Sequence, residues 1–177
     1  MTQASDTIES KFRTIWAYHI LGETASYSLV KSACDQALQA NIYHEFLRTN
    51  CCDPPHKDHL VFIEEFKAAL ADLFPSVLDL DHGQALLIYT RCSLQRIQEQ
   101  DSTNLDSYLE LAIVLDEQAE LEYDSLQVGP IIELAFKWFY DYADWMIGDE
   151  FETQRLKSIS ELQTAAREWI AQHSPQM

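Results

Sequence analysis

The stretch PIIELAFKWFYDYADWMIG, residues 130–148, is the most apolar and aromatic run in the sequence. Its charged side chains recur at intervals of three or four residues, at Glu133, Lys137, Asp141 and Asp144. On a helix of about 3.6 residues per turn these positions form one narrow stripe, and apolar side chains occupy most of the remaining surface. Because such a helix must be covered by other helices, the sequence predicts a buried helix over 130–148 within an all-α fold.

Six other segments place apolar residues at helical spacing, and no segment alternates as a β-strand does. Gly22 and Pro75 mark the ends of predicted helices, and a bend is predicted near Asn41. The predicted helices lie near 6–21, 24–48, 55–74, 82–99, 104–123, 130–148 and 153–172. Seven helices with short connections predict an antiparallel helical bundle and a single all-α domain, 1–177.

The sequence also favours a cytoplasmic location. It contains no run of about 18 uncharged apolar residues, as a membrane span requires. The first segment, MTQASDTIESKF, lacks the pattern of a secretion signal. The four cysteines show no spacing typical of a disulfide framework, so we interpret them as reduced thiols: Cys34, Cys51, Cys52 and Cys92.

The net charge of −17 is concentrated in one part of the chain. Residues 99–152 contain fifteen acidic residues and a single basic residue, Lys137, which gives −14. Residues 1–98 contribute −4 and residues 153–177 contribute +1. This distribution argues against binding of nucleic acid or an anionic membrane, because phosphates are repelled. It favours a basic partner, a bound cation, or solubility alone.

The leading hypothesis is therefore an acidic helical protein-interaction module that binds a basic protein through residues 99–152. An inhibitor, an immunity-type neutraliser or an adaptor would each have such an acidic surface for a basic protein. A function other than catalysis is favoured. The expected partner-binding residues are Glu110, Glu117, Glu120, Asp124, Asp141 and Asp144.

A zinc site is the first alternative. Four soft ligands fall within nine residues, at Cys51, Cys52, His56 and His59. Zinc accepts Cys and His in a tetrahedron, but structural sites usually separate their cysteines by about two to four residues. An ordinary loop that ends in a capped helix explains the same stretch and is the favoured interpretation, so no cofactor is predicted here.

A magnesium site is the second alternative. Glu117 and Glu120 form one acidic dyad, and Asp141 and Asp144 form another, which together offer four carboxylates for Mg²⁺ and a phosphoester. Over about 28 residues the pattern resembles the all-α nucleotide pyrophosphohydrolases, whose Glu-x-x-Glu is followed by Glu-x-x-Asp. The resemblance implies a metal-dependent nucleotide or phosphoester hydrolase. In an antiparallel hairpin the dyads are offset by roughly 6 to 15 Å, so two solvated stripes are the competing interpretation.

An aromatic pocket for a small ligand is the third alternative. Its candidate residues surround the second dyad, and core packing is the simpler explanation for them: Trp138, Tyr140, Tyr142 and Trp145. A di-iron centre is not expected, because no histidine is preceded by glutamate at the Glu-x-x-His spacing. His19 lies in the apolar stripe of the first helix, where a hydrogen-bonded core histidine is favoured over a catalytic one.

Overall fold

The computed structural model describes residues 3–52, 59–99, 133 and 149–173. All regular secondary structure in these ranges is helical, which confirms the predicted all-α class. The described ranges contain six long helices: α1 (Gln3–Ile20), α2 (Tyr27–Gln39), α3 (Glu45–Cys52), α4 (His59–Leu73), α5 (His82–Glu99) and α6 (Asp149–Gln172), with a 3-10 turn at Pro75–Val77. None of these helices combines the length and the apolarity needed to cross a membrane.

Two of the predicted helices, near 104–123 and 130–148, lie outside the described residues, apart from the helical position 133. The count of seven and the antiparallel arrangement therefore stay predictions. The chain divides into two compact units, Met1–Tyr89 and Thr90–Met177, and α5 contributes residues to both. The single domain also stays a prediction.

The end of α1 is fixed by a glycine. Gly22 adopts the left-handed conformation with φ of 78°, which L side chains rarely adopt. Its N–H donates to the His19 carbonyl at 3.0 Å, and the Glu23 N–H donates to the Tyr18 carbonyl at 2.9 Å. These two bonds form a Schellman motif, which satisfies carbonyls that the helix leaves without partners. The predicted stop at Gly22 is confirmed.

The structure corrects the predicted helix over 24–48. Asn41 has φ of 61° and ends α2 with a second Schellman motif, in which Ile42 N–H donates to the Ala37 carbonyl at 2.9 Å. The chain then starts the separate helix α3, where the Phe46 N–H donates to Nδ1 of His44 at 3.1 Å. Asparagine tolerates the left-handed region better than most residues, so the predicted bend is a complete break.

The N-termini of two other helices carry side-chain caps. Ser26 accepts the Leu29 N–H of α2 at 3.3 Å. Before α5, Asp81 accepts the Gln84 N–H at 2.8 Å, and Gln84 in turn accepts the Asp81 N–H at 3.3 Å, which is a reciprocal capping box. The described part of α6 already includes Asp149, four residues before the predicted start at 153.

The core of the first unit is an aromatic cluster centred on Phe66 of α4, which is only 1% exposed. Its ring lies 5.4–6.2 Å from four other rings, contributed by three helices: Phe12, Trp16, Phe46 and Phe62. Tilted and offset rings at such distances add to the stabilisation gained by burying apolar area. Phe66 therefore connects α1, α3 and α4.

In the second unit, the described core comes from α5 and α6. Buried residues of both helices contribute: Leu94, Ile97, Ile159, Leu162, Ala166 and Trp169. The Gln163 side chain donates to the Ile97 carbonyl at 3.5 Å, and Arg91 donates to the carbonyl of His173 just after α6. A cation at the negative end of a helix is electrostatically favourable, so Arg91 stabilises this end of α6.

We expect Phe66→Ala to lower the free energy of unfolding by about 3–5 kcal/mol, because it removes a buried ring and leaves a cavity between three helices. Leu60→Ala, on the same helix at a side chain 72% exposed, is the matched control and should change stability by less than about 0.5 kcal/mol. Urea unfolding followed by circular dichroism measures both. Equal losses in the two variants would contradict the central role of Phe66.

The two left-handed caps should respond in opposite directions to substitution. Gly22→Ala forces a Cβ into the left-handed region and should cost about 1–2 kcal/mol, although no atom lies within 4 Å of the new methyl group. Asn41→Gly removes that penalty and should be neutral or slightly stabilising. Thermal unfolding of the two variants tests the pair, and a stabilising Gly22→Ala would rule out this account of the α1 end.

Candidate functional site

The candidate partner-binding residues lie outside the described residues: Glu110, Glu117, Glu120, Asp124, Asp141 and Asp144. The same holds for the aromatic candidates: Trp138, Tyr140, Tyr142 and Trp145. The structure describes two parts of the acidic stretch in the second half of the chain. Glu133 is helical and exposed, and Asp149, Glu150 and Glu152 lie at the start of the described part of α6.

The structure describes three of the four candidate zinc ligands in part. Cys51 and Cys52 end α3, His59 begins α4, and His56 lies outside the described residues. Cys51 is buried, and its thiol donates to the Arg48 carbonyl at 3.2 Å. Within the described ranges, no three His, Cys, Asp or Glu side chains are grouped so as to hold a metal ion. The zinc and magnesium sites stay predictions.

The thiol of Cys34 on α2 has a strongly raised pKa. The pKa is raised from the ordinary 9.0 to about 12, mainly because the thiol is buried, with 0% of the residue exposed. The nearby Cys51 and Asp35 contribute to the same rise. A thiol of this kind stays protonated at neutral pH and is a poor nucleophile. The interpretation of Cys34 as a small buried hydrophobic residue fits this environment.

A small pocket lies in the first unit, between the C-terminal part of α1, the loop that follows it, and the first half of α4. Its volume is about 40 Å³. The walls are mainly apolar, and the polar groups come from α1 and the loop. The residues that line the pocket are Ile15, His19, Glu23, Thr24, Ala25, Phe62, Ile63 and Phe66. The pocket is therefore a cleft with an apolar interior and a polar rim.

The aromatic core and the α1 cap together form this pocket. Phe66 and Ile15 are almost fully buried beneath it, and the Phe62 ring stacks on Phe66 at 5.9 Å with an interplanar angle of 17°. The Schellman turn at Gly22 reverses the chain, so that Glu23 follows directly at the rim. His19 packs on Trp16, with their ring centroids 4.9 Å apart. The predicted core histidine is half-buried and contributes to a pocket wall.

Three buried polar atoms lack a hydrogen-bond partner among the described residues: Asn50 Oδ1, Thr90 Oγ1 and Arg91 Nε. Each such atom costs roughly 1–3 kcal/mol of desolvation. Asn50 satisfies its other end, because Nδ2 donates to the Phe46 carbonyl at 2.8 Å. Arg91 likewise uses its terminal nitrogen on His173. None of the three atoms belongs to the residues that line the pocket.

No protein-family model matches the chain, and no significant similarity was found to a curated protein or to a solved structure.

The perturbed thiol predicts a pH dependence of stability. Cys34 ionises near pH 9.0 in the unfolded chain and near 12 in the folded chain. The free energy of unfolding that depends on keeping this thiol protonated is therefore fully present below pH 9.0 and is lost as the pH rises toward 12. Over that interval the wild type should lose up to about 1.4 kcal/mol per pH unit more than Cys34→Ala. Parallel curves of unfolding free energy against pH for the two proteins would contradict the burial of this thiol.

Proposed function

We propose that the protein is an acidic helical interaction module that binds a basic protein partner through residues 99–152. The observation that carries the proposal is the concentration of charge, with fifteen acidic residues and one basic residue in 54 positions. Charge of one sign clustered along a chain steers oppositely charged partners and repels nucleic acid. The remaining 123 residues carry a net charge of only −3, so the acidity is concentrated in this stretch.

The acidic stretch cannot neutralise its own charge. In the described ranges, ion pairs form between neighbouring turns of a helix, as in Arg13–Glu9 at 3.5 Å and Lys157–Glu161 at 3.8 Å. Residues 99–152 contain only Lys137 for this purpose. Mutual repulsion of uncompensated acids costs stability, and a partner that supplies lysine and arginine side chains relieves it. This supports a role in which the charge is used for association.

The chemistry of the partner follows from the same charge. A surface rich in lysine or arginine, presented by a folded protein, complements the stretch and associates quickly at low ionic strength. An inhibitor or an immunity-type neutraliser of a basic toxin or nuclease has this requirement, because it must occupy a cationic active surface. An adaptor that binds a basic segment also requires an acidic binding surface.

We expect an oligolysine peptide to bind the full chain with an affinity that falls steeply between about 50 and about 300 mM NaCl, because screening shortens the reach of each charge. Reversing three acids within the stretch, Glu117→Lys, Glu120→Lys and Asp124→Lys, should weaken binding at low salt by at least about tenfold, or about 1.4 kcal/mol. Isothermal titration calorimetry measures both effects.

The control reverses three exposed acids of the first unit, Glu45→Lys, Glu64→Lys and Asp79→Lys, and so produces the same net charge. This variant should keep affinity within about threefold of the wild type, since only the location of the change differs. If the two triple variants lose affinity equally, binding follows net charge alone and the proposed site is wrong. Binding that is insensitive to salt would also contradict the proposal.

A further inference from the structure

We infer that the pocket between α1 and α4 binds the side chain of a lysine presented by a partner, with the aliphatic stem inside and the ammonium group at Glu23. This site lies wholly in the first unit and does not depend on residues 99–152. It adds a second and chemically specific point of contact for a basic ligand.

The interior of the pocket suits a short unbranched chain. The volume of about 40 Å³ accommodates roughly three non-hydrogen atoms, by the rule that one water needs about 10–15 Å³. The apolar walls formed by Ile15, Ile63 and Phe66 offer contact to methylene groups and nothing to a polar tip. Lysine places its methylene stem along apolar surface while its charged end reaches water, which is the behaviour this shape requires.

Three features of the rim favour a cation over an anion or a neutral group. Glu23 supplies a carboxylate, which forms no ion pair with any other described residue. The C-terminal end of α1 lies at the same rim and carries the negative end of the helix dipole. The ring of Phe62, which is less buried than that of Phe66, presents π-electron density to a nearby ammonium group.

The choice of lysine also follows from what the pocket lacks. The described lining residues include no lysine or arginine, so His19 is the one side chain among them that can carry a positive charge toward a carboxylate or phosphate. Its small volume excludes an aromatic ring, because a cavity that holds benzene measures about 150 Å³. A purely aliphatic side chain would fill the interior but would bring no counter-charge to the partly exposed Glu23 carboxylate.

The test compares three probes of equal length, n-butylammonium, 1-butanol and butyrate, titrated into the full chain. Amide and methyl NMR spectra, all recorded at one fixed pH, report occupancy at Ile63 and Phe62. Butylammonium should shift these resonances saturably with a dissociation constant of about millimolar, as expected for so small a ligand. Butanol should bind several-fold more weakly, and butyrate should not bind measurably.

Variants assign the charge selectivity to one side chain. Glu23→Gln preserves the shape of the rim and should weaken butylammonium binding by at least about threefold while leaving butanol binding unchanged. Glu64→Gln removes the same charge from an exposed position of α4 outside the pocket and should leave both unchanged. The inference is overturned if butyrate or butanol binds as well as butylammonium, or if Glu23→Gln and Glu64→Gln behave alike.

Discussion

The packing of four aromatic rings around Phe66 is the constraint on which the described architecture of the first unit depends. Phe66 lies on α4, and its neighbours come from α1, α3 and α4 itself. Because one buried side chain contacts rings of all three helices, their relative positions are set together. The pocket borders this cluster, because Phe62 and Phe66 are among the residues that line it.

The two left-handed residues, Gly22 and Asn41, determine where α1 and α2 end. Each one turns the chain after a Schellman motif, and each thereby brings the next segment back toward the aromatic core. The motif at Gly22 also places Glu23 at the rim of the pocket. The left-handed turn at Gly22 therefore brings a polar side chain to the edge of an apolar cleft.

The fold class follows from sequence pattern because helical periodicity is a local property. The apolar positions predicted for the first helix, such as Phe12, Ile15 and Trp16, are buried in the structure, and so are Ile63 and Phe66 of α4. At Asn41 the sequence predicts only a bend and not the observed break, because asparagine is compatible with both a helix and its end. The pocket could not be predicted, since Glu23 and Phe62 are far apart in sequence and meet only through tertiary packing.

The two proposed sites share one chemical preference, although they use different means. The stretch 99–152 relies on the number of its carboxylates and therefore on long-range attraction, which salt screens. The pocket relies on one carboxylate beside an apolar interior, where contact area and geometry select the ligand.

The most direct test of the central claim, that a basic partner binds through the acidic stretch, is a residue-resolved NMR titration of the full chain with an oligolysine peptide at low salt. The account predicts that the largest chemical-shift changes fall within residues 99–152 and diminish as salt is added. Changes spread evenly over all exposed acids, or changes absent from that stretch, would contradict it.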